Sequence, residues 1–440
     1  MLINPWIYDF TAYDVWLRPL GLLYVASFLK KHRQFRLNYI DCLDRRHPGL
    51  PKALPIKPDG RGPYWKEEVP KPDILADIPR KYSRYGIPVS VFLEELECVP
   101  LPRVILITCT MTYWYPGVQL VVELVRKKFG SVPVILGGIY ATLLPDHAKR
   151  ATDVDFICTG PGEINLPPLL QKVLDNYRLP PNLNQASQVP VEPEYGLLRD
   201  TKNLPIITSR GCPYSCSFCA TALLNPKFEQ EPPTSVVERI GGMTKKFGTK
   251  NMAFYDDALL INKKDHILPI LHGIIEKKIQ VAFHTPNGLH VKEIDSELAV
   301  LFKQANFNSL FLSQESFDEN ILRDSCPKVE KDDLEVALTH LENAGYLRKD
   351  INVYLIVGLP DQDISSIKEG IMQTKKLGAR PRLAFYSPVV GTADWHKAVG
   401  LGYIPKNADP LLHNKLTFPY LWGRFSHEDF LSIRELLNSE

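Results

Sequence analysis

The stretch SRGCPYSCSFCA, residues 209–220, places Cys212, Cys216 and Cys219 within eight positions. A structural zinc site takes four protein ligands, commonly as two separated pairs. Here the nearest histidines are His147 and His266, and the nearest other cysteines are Cys158 and Cys326. The loop offers three thiolates and no fourth ligand of its own. A metal centre held this way keeps one open position, which points to chemistry rather than to a structural staple.

Outward from this loop the chain alternates strand and helix patterns. The strand candidates are LPIITS (204–209), NMAFYDD (251–257), QVAFHTP (280–286), SLFLSQES (309–316), INVYLIVGLP (351–360) and PRLAFYSP (381–388). Helical patterns separate them, among them TSVVERIGGMTKKF (234–247), KDHILPILHGIIEKK (264–278) and KDDLEVALTHLENAG (331–345). Six strand–helix units predict a partial parallel barrel over 201–395, with its site in the loops at the carboxyl ends of the strands. The cysteine loop follows the first of those strands.

Before residue 176 a second alternation runs MLINP (1–5), PLGLLYVASFLKKH (19–32), LNYIDCL (37–43), RVILITCT (103–110), GVQLVVELVRKKFG (117–130), VPVILGG (132–138) and VDFICTG (154–160). Short apolar strands alternating with helices predict an α/β fold, a doubly wound Rossmann-like parallel sheet over 1–175. A proline-dense stretch, 45–102, interrupts it and is expected as an ordered surface excursion outside sheet and helix interiors. Proline-rich residues 179–196 fall in an expected linker, 176–200, and residues 396–440 form a short carboxyl-terminal extension. That tail, with its FPYLWGRFSHEDF run (418–430), is expected near the barrel mouth.

Bulk composition narrows the setting. Of 440 residues 45% are hydrophobic and 23% charged, with a formal net charge of +2. That is ordinary for a globular protein and gives no basic groove for nucleic acid. No apolar run reaches the ~20 residues of a membrane span. The opening MLINPWIYDF lacks a basic region and cleavage site. Eight scattered cysteines do not resemble a disulfide framework, so a reducing, cytoplasmic setting is expected.

Three thiolates hold three irons of a 4Fe–4S cluster and leave the fourth iron free for an exogenous ligand. Cys-x3-Cys-x-Phe-Cys after the first strand of a partial barrel resembles the radical S-adenosylmethionine (SAM) superfamily. The resemblance covers roughly 200–390 and implies further assignments. Phe218 matches the aromatic position whose backbone lies near the adenine. Asp256 and Asp257 stand where the family binds the SAM amino group, although the family often has Gly-Gly-Glu there. Ser313 and Glu315 match the ribose-binding position, and Val357 and Gly358 the strand beside the adenine. The implied reaction is one-electron cleavage of SAM to methionine and a 5′-deoxyadenosyl radical, with the protein positioning SAM and excluding water.

The amino-terminal pattern resembles the cobalamin-binding domain fused to many radical SAM enzymes. Its implied cobalamin contacts are Thr108, Thr110, Thr112 and Tyr113, then Gly137, Gly138, Ile139 and Ala141 in the GGIYA turn, then Gly160, Gly162 and Glu163. The glycines would let the backbone approach the corrin and its nucleotide tail. The Asp-x-His-x-x-Gly motif that ligates cobalt in other cobalamin proteins has no counterpart near CTMTYWYPG (109–117). Cobalamin is therefore expected without a protein histidine on cobalt. A plain Rossmann-like scaffold is the simpler alternative.

In FHTPNGLH (283–290), His284 and Asn287 are the candidate catalytic or substrate residues. The expected function is a cobalamin-dependent radical SAM enzyme, methylating an unactivated carbon of a small molecule or peptide. Its electron would come from an external donor such as flavodoxin or ferredoxin, with no membrane or nucleic-acid partner. The alternatives are a cobalamin-free radical enzyme catalysing rearrangement, cyclisation or methylthiotransfer, and a non-catalytic redox or cobalamin sensor. A methylthiotransferase of tRNA would carry a second cysteine triad, whereas Cys42, Cys98, Cys109 and Cys158 are scattered.

Overall fold

Strands β1 (Leu2–Asn4), β2 (Tyr39–Asp41), β3 (Ile105–Thr108), β4 (Val134–Gly137) and β5 (Phe156–Ile157) form one parallel sheet in the order β2-β1-β3-β4-β5. This is seen in a computed structural model that describes residues 1–31, 35–175, 177, 192–417 and 425–439. The order reverses between β1 and β3, the point at which doubly wound sheets bind ligands. Helix α1 (Leu20–Lys31) buries Leu22, Val25, Ala26, Phe28 and Leu29 against one face. Leu166 and Leu170 of α3 (Gly162–Val173) complete that core, and α2 (Tyr115–Phe129) joins β3 to β4. The sheet belongs to a compact unit of Met1–Thr201 with Pro410–Leu412.

The proline-dense stretch contributes more regular structure than expected. Ser83–Tyr85 pairs antiparallel with both Ile7–Asp9 and Lys66–Glu68, and Gly62–Pro63 pairs with Tyr13–Asp14. Helix Val89–Glu97 follows directly on Pro88. The prolines stand mostly outside these two- and three-residue strands and just ahead of the helix, positions that need no ladder hydrogen bond. The stretch has its own buried residues, including Tyr64, Leu75, Ile78, Tyr82, Val91 and Phe92. It is tied to the segment after β1, with Trp6 Nε1 donating to Ile87 O at 2.6 Å.

The second unit, Lys202–Asp409 with His413–Glu440, is the partial barrel. Its parallel strands are β6 (Asn203–Ile206), β7 (Asn251–Phe254), β8 (Ala282–His284), β9 (Phe307–Ser309), β10 (Phe311–Glu315), β11 (Asn352–Val357) and β12 (Arg380–Phe385). The run read as a single strand over 309–316 breaks at Leu310: β9 pairs with β8, and β10 pairs with β11 and the short strand Leu289–His290. One stretch thereby serves two sheets. The stacked rings of Phe254 and Phe307, 5.5 Å apart, and of Phe283 and Phe307, 5.2 Å apart, fill the interior beside β7–β9.

Helices α4 (Pro233–Phe247), α5 (Ile267–Glu276), α6 (Ser296–Gln304), α7 (Asp333–Asn343) and α8 (Ile364–Lys376) lie between the strands, and α9 (Ala393–Gly400) follows the last one. The tail ends in a helix. Its helix α10 (His427–Asn438) packs on α8, with Lys375 Nζ donating to Leu436 O at 2.7 Å, so it lies in the outer helical layer. Residues 418–424 lie outside the described residues.

Candidate active site

The cysteine loop leaves the carboxyl end of β6 through a pinch made by two-residue strands, Ser209–Arg210 against Glu229–Gln230. Gly211 sits at that pinch with φ +81°, and a Cβ there would stand 2.4 Å from Lys227 O. Only glycine fits. Asp256, at the end of β7, braces the same entry. Its Oδ1 accepts from Thr208 N (2.9 Å), Thr208 Oγ1 (2.7 Å) and Ser209 Oγ (2.6 Å), and His266 Nε2 lies 2.9 Å from the same Thr208 hydroxyl. Asp256 Oδ2 is buried without a protein donor.

Beyond the pinch, Cys219 N donates to Cys216 O at 3.0 Å and Ser217 N to Ser325 O at 3.1 Å. Ser217 Oγ donates to Asp394 Oδ2 at 2.8 Å, anchoring the loop to α9. Phe218 packs on the apolar cluster of Ile321, Ile356, Leu359, Tyr386 and Trp395, so the helix Glu319–Ser325, the end of β11, the residue after β12 and α9 position it. Cys212 and Cys216 are half-buried and Cys219 is exposed. Burial raises the Cys212 thiol above its ordinary value and pushes that of Cys216 up to about 11. Among the described residues no three His, Cys, Asp or Glu side chains converge on a single ion.

Asp257, next to Asp256 but exposed, has its carboxyl pushed up to about 6 by desolvation and then by its neighbour's charge. Ser313 and Glu315 both lie on β10 across a register shift, and Glu315 takes the left-handed φ of +67°. A non-glycine residue in that region carries strain, which concentrates at functional sites. Ser313 hydrogen-bonds to the Glu315 carboxylate, and Lys328 Nζ stands 3.7 Å from Glu315 Oε1. Val357 ends β11, and Gly358, at φ +96°, donates its N–H to Gln362 Oε1 at 2.7 Å. The cysteine loop, Asp257, Glu315 and Gly358 therefore all follow or end strands on one rim of the barrel.

His284 ends β8 at that rim, but its buried side chain turns back along the sheet. Its Nε2 lies 3.0 Å from Asn251 Oδ1, and Asn251 in turn donates to Asn203 Oδ1 at 2.8 Å. Asn203 and Asn251 open β6 and β7, so this buried polar chain runs from His284 toward the opposite end of the strands. Asn287 is on the rim, donating to Tyr255 O at 2.8 Å. Two neighbours escaped the sequence reading, His266 and Lys328, and a third, His290, closes FHTPNGLH without a role assigned there. Buried His290 meets the Tyr214 ring of the cysteine loop edge-on at 4.8 Å, and burial holds its imidazole down at about 3. No local motif marks them, since each reaches the site from a separate loop.

In the amino-terminal unit, Thr108, Gly137 and Gly160 stand at or just beyond the carboxyl ends of adjacent strands β3, β4 and β5. Gly137 has room for a Cβ, the nearest atom being Cys158 O at 3.7 Å. Gly138 does not: at φ +92° its Cβ would meet Thr108 Oγ1 and Cys109 O at 2.7 Å. The neighbouring loop alone thus excludes a side chain at Gly138. A Cβ at Gly162 would strike Val25, and Ala141 and Tyr113 are buried. Thr110, Thr112, Ile139 and Glu163 stay half-buried.

Residues 206–371 match the Radical SAM superfamily model. These residues form a Radical SAM domain. An uncharacterized methyltransferase of Pyrococcus horikoshii is 23% identical over 68% of this chain and 70% of its own length. The radical SAM methyltransferase TokK of Streptomyces tokunonensis, named as cobalamin-dependent, is 23% identical over 77% of this chain and 57% of its own. The solved radical SAM methyltransferase TsrM from Kitasatospora setae superposes with a TM-score of 0.65 at 14% identity, covering 92% of this chain and 76% of that one. The radical SAM enzyme OxsB gives 0.56 at 14% identity, over 91% and 55%. The chain shares their fold over about nine-tenths of its length. Among its described residues no helix is long and apolar enough to cross a membrane.

Proposed function

We propose that the protein is a cobalamin-dependent radical SAM methyltransferase acting on an unactivated carbon of a small molecule or peptide. The observation that carries the radical part is the three-cysteine loop at the carboxyl end of β6, braced by Asp256 and followed around the rim by Asp257, Glu315 and Gly358. Cys212, Cys216 and Cys219 would hold a 4Fe–4S cluster, and the unpartnered Asp256 Oδ2 is a buried acceptor suited to a cationic ligand group. The cluster and SAM, when bound, supply a carbon radical by one-electron cleavage of SAM, and cobalamin, when bound, supplies a methyl carrier. The chain's own residues do the rest. Asp257 offers a carboxylate to the SAM ammonium, Ser313 and Glu315 offer acceptors to ribose hydroxyls, and Phe218 fixes the loop backbone against the apolar cluster. An external one-electron donor protein completes the system.

Support for cobalamin is the ledge of Thr108, Gly137 and Gly160 at adjacent strand ends, together with the likeness to TokK, TsrM and OxsB. One observation favours the cobalamin-free reading: Gly138, Gly162, Ala141 and Tyr113 are accounted for by packing within the protein. Anaerobic reconstitution tests the first part. We expect about four irons and four sulfides per chain, the cubane stoichiometry, and 5′-deoxyadenosine on reduction with dithionite. Fully clustered protein that makes none would refute the enzyme reading. Loading with hydroxocobalamin followed by desalting tests the second, because retained corrin absorbs in the visible and an empty scaffold does not.

A further inference from the structure

We infer that the turn 286–290 seats the ribose of SAM, with Gly288 a positioning residue that acts through the Ser313 hydroxyl. The inference rests on the SAM reading above and deepens it. The turn follows β8 and meets three elements of the proposed site. Asn287 Nδ2 donates to Tyr255 O at 2.8 Å and to Asp256 O at 3.4 Å, which fixes the end of β7 beside Asp257. Leu289 and His290 pair with Leu312 and Ser313 of β10, and the His290 ring meets Tyr214 of the cysteine loop. Tyr354 of β11, in register with Ser313, donates its hydroxyl to Pro286 O at 2.9 Å. The turn is therefore held at both ends and in its middle, against the strands whose ends carry the proposed SAM contacts.

Gly288 takes the left-handed φ of +74°, and a Cβ there would stand 2.3 Å from Ser313 Oγ, 3.2 Å from Tyr354 Cδ2 and 3.5 Å from Ser313 Cβ. The last is ordinary contact, so the space in question belongs to the hydroxyl. A serine hydroxyl chooses among staggered positions. The one adopted here is open only while residue 288 lacks a side chain, and it is the one that reaches the Glu315 carboxylate. A methyl group at 288 would turn the hydroxyl away while Ser313 itself stays in place, since it is buried on a paired strand. The ribose would lose a partner, and the cysteine loop and Asp257 would keep theirs. The step concerned is binding; no covalent bond forms or breaks.

The test uses the full chain, reconstituted anaerobically, as wild type, Gly288→Ala, Ser313→Ala and the double variant, with Gly378→Ala as a control. Gly378, at φ +81°, carries the same left-handed strain, and a Cβ there would meet only Arg348, at 3.5 Å. Iron and sulfide are counted, and calorimetry measures binding of SAM and of a SAM analogue lacking both ribose hydroxyls. Gly288→Ala is expected to keep its cluster and to bind the analogue as wild type does. Its SAM affinity should fall about two- to tenfold, the worth of one hydrogen bond. The double variant should bind SAM no more weakly than Ser313→Ala, because both changes remove the same contact. Wild-type SAM affinity in Gly288→Ala overturns the proposal, as do equal weakening of SAM and analogue and additive losses in the double variant. A matching loss in Gly378→Ala also overturns it, since strain alone would suffice. Should Gly288→Ala not fold, Tyr354→Phe reads the same turn by releasing Pro286 O. A loss confined to SAM then supports the proposal, and wild-type affinity for both ligands overturns it. Clustered Ser313→Ala with wild-type SAM affinity would overturn the ribose assignment itself.

Discussion

Replacing Asp256 by alanine removes the acceptor that Thr208 and Ser209 share at the entry to the cysteine loop. Stranding buried donors costs about 1–3 kcal/mol, so Asp256→Ala is expected to lower the melting temperature and to release iron. Asp257→Ala should keep its iron and bind SAM more weakly. The pH dependence separates the two further. With the Asp257 carboxyl pushed up to about 6, it is largely neutral below that value and charged above it. SAM affinity, measured by anaerobic calorimetry, should rise as pH increases through about 6, and Asp257→Asn should flatten the rise. At Gly138 the expectation is independent of any cofactor. Gly138→Ala forces a Cβ to within 2.7 Å of Cys109 O at a φ of +92°. A strained residue of this kind costs about 1–3 kcal/mol, and the loss should appear in the thermal melt of cobalamin-free protein.

The elements were legible where a pattern repeats. Strand–helix alternation predicts both parallel sheets, and the cysteine spacing marks the loop after β6. The break at Leu310 was not legible, because SLFLSQES is apolar enough to be one strand and only its pairing partners divide it. Nor was the role of His284, since a strand-end histidine faces either rim and the choice depends on Asn251 and Asn203, distant in sequence. His266 has the same non-local origin. Burial holds its imidazole down at about 4, below the ordinary 6.5. An unfolded chain therefore binds the extra proton first as pH falls. The folded state should be insensitive to this group above about pH 6.5 and lose stability steadily between there and about 4. Urea melts across that window should show a shallower slope in His266→Gln, unless the variant loses the Thr208 contact badly enough to unfold at all pH values.

At the scale of the whole molecule, each unit has its own sheet and its own apolar core. The ligand sets proposed for cluster and cobalamin come from different units. A Cys212→Ala, Cys216→Ala, Cys219→Ala protein should therefore bind no cluster yet retain as much cobalamin as wild type, read from visible spectra after desalting. Equal loss of both would mean that cobalamin binding depends on the clustered barrel.

The pairing of Ile7–Asp9 with Ser83–Tyr85 has a consequence for how the chain tolerates cutting. Residues 51–53 are exposed, and a protease nick there would sever the backbone between partners already stitched together on either side. Trp6 would still reach Ile87 O, the Tyr85 hydroxyl Phe10 O, and Ile87 N the Cys42 carbonyl. The two fragments should elute as one species and part only in denaturant. The same stitching implies that, during synthesis, the segment after β1 waits unpaired while some seventy further residues leave the ribosome, since its partner strand begins at Ser83.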